Sequence, residues 1–78
     1  MMQKHLSSQF DAELNTVSAR VMELGGLVES QIGHAIRALS HFSLEAVETV
    51  ATLETRVNAL EVDIDRELST IIARRQPT

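Results

Sequence analysis

Seventy-eight residues make at most one small domain, and a chain this short ordinarily leans on staples or partners to hold its core. Without cysteine it has neither a disulfide framework nor a thiolate metal site, in keeping with a reducing cytoplasm. A net charge of −4 with scattered Lys and Arg argues against nucleic acid, and the lack of Trp and Tyr removes the usual platforms for bases or sugars.

The opening "MMQKHLSSQF" holds no apolar run suited to a signal peptide, and nowhere do about 18 apolar residues come together as a membrane span requires. From Leu6 onward the chain has a helical period. Leu6, Phe10, Leu14, Val17, Val21, Leu24, Val28, Ile32, Ala35, Leu39 and Phe42 recur at steps of three or four, about 3.6 on average. That repeat predicts a straight helix over about 8–41 rather than a strict heptad. Ser7 or Ser8 would cap it, with Asp11 and Glu13 near the positive end of its dipole. Gly26 and Gly33 share the outer face with Ala12 and Ala19, either as tolerated flexibility or as a strip another helix could approach closely. Glu29 falls at the edge of the apolar face and reads as an ion-pair partner, while His34 and His41 read as solvated.

The pattern breaks at "LSHFSLEA". Ser43 is the expected N-cap of a second helix over about 44–75, with Glu45 in its first turn. Val47, Val50, Leu53, Val57, Leu60, Ile64, Leu68 and Ile71 form its apolar stripe. Arg74 and Arg75 suit the negative dipole end, and Pro77 disfavours helix at Gln76. So short a connection makes the helices antiparallel neighbours. The expected fold is all-α: a helical hairpin whose apolar stripes need further helices, from more chain or from a second copy.

Within "ETRVNALEVDID" the second helix carries Glu54, Asn58, Glu61 and Asp65 at steps of four, three and four. At about 100° per residue these four fall on one line with Val47, Val50, Leu68 and Ile72, away from Glu45, Arg56, Asp63 and Arg74. Carboxylates on such a face are either solvated or paired, protonated or bound to a metal. Repulsion between Glu61 and Asp65 one turn apart would be relieved by a hard, oxygen-preferring cation such as Mg²⁺, Mn²⁺ or iron. A ferritin-like di-iron centre is not expected, because no Glu precedes any histidine by three residues. No nucleophile with its base is recognisable, and Gly25-Gly26 is not a phosphate loop because no Lys-Ser/Thr follows.

"HLSSQFDAELNTVSARVMELGGLVESQIGHAIRAL", "RVNALEVDID" and "IIARRQP" together resemble the start of the PhoU family, phosphate-signalling accessory proteins of bacteria. The resemblance covers nearly the whole chain and implies the first part of a longer protein of tandem three-helix bundles. It implies that Glu61-x-x-x-Asp65 is one of a pair of acidic motifs that hold metal clusters. Glu54 and Asn58 match the preceding acidic-x-x-x-Asn pattern, with Glu54 where Asp is common. Iron, Mn, Mg or Zn is the implied cofactor of the intact protein, weakly bound or absent here because the partner motif lies on a helix this chain lacks. The resemblance further implies a non-enzymatic regulator of phosphate uptake and phosphate-starvation signalling. Its partners would be a second copy of itself, the ATPase subunit of a phosphate ABC transporter and a two-component sensor histidine kinase. The membrane would be met only through those partners. The alternative is a generic helical oligomerisation module in which the stripe is a buried polar layer that sets register.

Overall fold

The structure is a computed structural model that describes residues 2–75, with side chains from residue 8 onward. Two helices fill that span: α1, Met2–His41, and α2, Leu44–Arg75. They pack antiparallel along their length into a rod with extents of 60 × 19 × 13 Å, an all-α hairpin. Neither helix is long and apolar enough to cross a membrane.

α1 begins at Met2 and not near Ser8. Its first turns hold no Gly or Pro, and Ser inside a helix costs only about 0.5 kcal/mol, so propagation overrides the capping signal. Ser7 and Ser8 are helical, and Asp11 and Glu13 sit beyond the first turn, out of reach of the dipole's positive end. Ser43 does cap α2. Its Oγ accepts from Ala46 N at 3.2 Å, and its carbonyl accepts from Val47 N at 3.1 Å. Phe42 reverses the chain with a φ of 50°, in the left-handed region that side chains other than Gly and Asn rarely occupy. Arg74 and Arg75 close α2; the expected stop at Gln76–Pro77 lies outside the described residues.

The seam between the helices has the heptad period that the averaged spacing hides. On α1 the seam series runs Phe10, Glu13, Val17, Arg20, Leu24, Leu27, Gln31, His34 and Ala38, with Val28, Gly33 and Ala35 half-buried beside it. On α2 it runs Ala46, Val50, Leu53, Val57, Leu60, Ile64, Glu67 and Ile71, with Thr49 and Asp63 half-buried beside it. Both series alternate three and four, the spacing of two helices that wind around each other. Val17, Ile64 and Ile71 form the buried centre, with Leu24 and Leu60 against it. Burying a Val or Ile side chain in such a centre contributes about 1.5–3 kcal/mol relative to exposure.

The two long sides of the seam differ. One is closed by ion pairs, Arg20–Glu67 at 2.7 Å and Arg74–Glu13 at 2.5 Å. At the far end of the rod the Arg75 guanidinium sits 4.4 Å from the centre of the Phe10 ring. Arg74, which the helix wheel places among solvated charges, is thus a cross-helix partner. Glu29, the expected ion-pair residue, is exposed and makes no salt bridge among the described residues. The opposite side is open. There Leu14, Val21, Ile32 and Leu39 of α1 and Val47, Leu68 and Ile72 of α2 stay exposed. The apolar surface of α1 is broad because it serves two directions: one edge makes the seam, and the other faces outward without a neighbour.

Candidate functional site

The residues singled out by sequence sit on the open side. Counting heptads along α2, Val47, Glu54, Glu61 and Leu68 occupy the position beside the seam. Ala51, Asn58, Asp65 and Ile72 occupy the next position outward. The acidic group therefore lies at mid-length of the open face, with apolar residues toward the turn and toward the far end.

The structure ties down only one of the four. Gln31, at a seam position of α1, donates from Nε2 to Glu54 Oε2 at 2.5 Å. Asn58, Glu61 and Asp65 are exposed and make no side-chain hydrogen bond or ion pair among the described residues. Gln31 escaped the sequence reading, although its place in the three-four alternation of the seam is the signal that would have found it.

Three carboxylates and an amide oxygen form a donor set suited to a hard cation. Their number at any one point is small. Glu61 and Asp65 are one turn apart, about 6 Å along the axis, and Glu54 with Asn58 forms a second such pair two turns away. Among the described residues no three His, Asp or Glu side chains come together to hold an ion. Among the described residues the four side chains therefore do not by themselves make up a complete cation site.

The sequence also matches known proteins. The family model described as "PhoU domain" matches residues 21–78. The chain belongs to the PhoU family. A phosphate-specific transport system accessory protein PhoU homolog from Burkholderia sp is 52% identical over 77 residues, covering 99% of this chain and 33% of the relative. The PhoU proteins of Serratia marcescens and Escherichia coli (strain K12) are 44% and 43% identical over 75 residues, covering 96% of this chain and 31% of each relative. This PhoU-family chain therefore spans about a third of the length of the curated relatives it matches. No solved structure matches it.

Proposed function

We propose that the chain is the helical-hairpin part of a non-enzymatic PhoU-type regulator, an accessory to phosphate transport that restrains phosphate-starvation signalling. In this reading it works in the cytoplasm as an adaptor between the ATPase subunit of a phosphate ABC transporter and a two-component sensor histidine kinase. Family membership over nearly the whole chain is what supports it, together with relatives named as phosphate-specific transport system accessory proteins. Glu61 and Asp65, with Glu54 and Asn58, provide one edge of a hard-cation site completed by another helix of the intact protein or by a second copy. The open apolar face is where that helix packs.

A complementation experiment tests this proposal. In a bacterium lacking its own PhoU, the intact gene containing this chain should restore repression of a phosphate-starvation reporter at high phosphate. Leu39→Glu, which places a charge on the open face near the turn and away from Glu61 and Asp65, should not restore it. Full repression by the Leu39→Glu gene would remove the open face from the mechanism. No repression by the wild-type gene would remove the regulatory reading itself.

A further inference from the structure

Only Phe42 and Ser43 connect the helices, and the connection satisfies its own backbone poorly. Phe42 holds a φ of 50° while its ring stays 93% exposed, a left-handed conformation without compensating contacts. The last carbonyls of α1 and the first N–H groups of α2 have no partners inside their own helices. Ser43 serves the α2 side, through Oγ to Ala46 N and through its carbonyl to Val47 N. The α1 side is not served. A helix closed by a left-handed residue ordinarily receives backbone hydrogen bonds from the residues that follow. Among the described residues none returns from Ser43 or Leu44 to the end of α1.

One change of conformation at Phe42 removes both defects. With Phe42 and Ser43 helical, α1 and α2 become a single helix, and the orphan carbonyls of one meet the orphan N–H groups of the other. The stretch from Ala35 to Arg75 holds neither Gly nor Pro to oppose it. Phe42 then falls one turn from Ala38 and one turn from Ala46, both seam positions, so its ring joins the seam. A straightened chain cannot pair with itself, however, and its seam requires a second copy.

The register allows that copy to replace the hairpin contact for contact. Arg20–Glu67, Glu13–Arg74 and Gln31–Glu54 are each centred in sequence on the Phe42–Ser43 connection. Two straight helices laid antiparallel about a two-fold axis at Ser43 re-form all three pairs between copies. Val17, Ile64 and Ile71 meet in the same way. We propose that Phe42–Ser43 is the hinge of a domain-swapped dimer, in which each chain straightens into one helix and pairs antiparallel with a second copy. The ring that the hairpin leaves in water is buried near the axis, where Ala38 and Ala46 leave it room. Association entropy and loss of the Ser43 cap oppose the exchange, so concentration sets the balance. The device is one of assembly and depends on neither the acidic stripe nor the regulatory role proposed above.

The chain lacks cysteine, so one pair can be introduced for spin labels: Asn15→Cys on α1 and Ser69→Cys on α2, both exposed and outside the seam. Labelled chain is unfolded in urea with a large excess of unlabelled chain, refolded at low and at high concentration, and read by pulsed electron paramagnetic resonance. In the hairpin the labels lie at the same height on neighbouring helices, roughly 20–30 Å apart. In the swapped dimer they lie about 80 Å apart along one helix. The long distance should appear and grow with concentration. Phe42→Asn, which tolerates the left-handed region, should raise the dimer dissociation constant about tenfold and return the labels to the short distance. A circular-dichroism spectrum as helical as wild type checks that this variant folds. The short distance alone at every concentration would overturn the proposal, and so would association that keeps it, because that dimer pairs through the open face. An undiminished long-distance fraction in Phe42→Asn would remove Phe42 as the hinge.

Discussion

Gln31 Nε2 donates to Glu54 Oε2 at 2.5 Å and so ties the first residue of the acidic stripe to the opposite helix. Glu61 and Asp65 have no such tie among the described residues, and in the proposed function they are the pair that holds the cation. Mn²⁺ should therefore raise the melting temperature of the intact protein, and Glu61→Ala should lose most of that rise. Gln31→Leu, which releases Glu54 alone, should keep it. Equal gains in wild type and Glu61→Ala, measured by differential scanning calorimetry, would take the metal off the stripe.

Ile64 is buried at the centre of the seam, packed with Val17 and Ile71. Ile64→Ala removes three carbons from a site that only two helices can close, and a loss of about 2–4 kcal/mol is expected. Small domains have little stability in reserve, so this should remove most of the cooperative urea transition followed by circular dichroism. A midpoint unchanged from wild type would show that the heptad seam does not hold the hairpin together.

Gly26 lies inside α1, and a Cβ built there meets nothing within 4 Å. Gly26→Ala should raise stability by about 1 kcal/mol, the difference in helix propensity with no steric penalty. Thermal melts of this chain read the effect directly. A lower melting temperature would mean that another helix seats against the Ala12, Ala19, Gly26 strip, the close-approach reading of those small residues.

Phe42 keeps a φ of 50° with its side chain 93% exposed, so its ring makes no packing contribution that offsets the backbone cost. Phe42→Asn should stabilise the hairpin by about 0.5–1 kcal/mol, because Asn tolerates the left-handed region far better. Destabilisation in a urea melt would show instead that the ring is covered in the assembled protein.

The open face predicts association. Val21, Ile32, Leu68 and Ile72 present more apolar surface than a monomeric rod ordinarily leaves to water. The 78-residue chain should sediment as a dimer or larger, and Val21→Glu should shift it toward monomer. Asn58→Leu should strengthen association if the stripe is a buried polar layer. A well-folded wild-type monomer would contradict the expectation.

The hairpin was legible from local signals. Ser43 announced its cap, and the apolar spacing announced both helices. The α1 start was not, because Ser7 and Ser8 look like caps only when nothing before them can be helical, and Gln3 to Leu6 can. The seam period was masked for a related reason. α1 is apolar on two adjoining edges, so listing every apolar residue averages a heptad seam with an outward edge and returns 3.6. Glu13, Arg20, Gln31 and Glu67 then dropped out because they are polar, although they occupy seam positions. The acidic stripe was found because four spaced oxygen-bearing residues mark a helix face by themselves. Its exposure was not, since a helix wheel shows which residues share a face but not whether another helix covers that face.

The antiparallel register places every cross-helix pair at a mirrored distance from Ser43. Gln31 and Glu54 are 23 residues apart, whereas Glu13 and Arg74 are 61 apart. Closing the longer loop first would cost about 1 kcal/mol more in chain entropy, so pairing should zip from the turn toward the free ends. Amide hydrogen exchange reports stability rather than pairing order, so it should be slowest around the buried centre at Val17, Leu24, Leu60 and Ile64 and fastest at the chain ends, which fray long before the molecule unfolds.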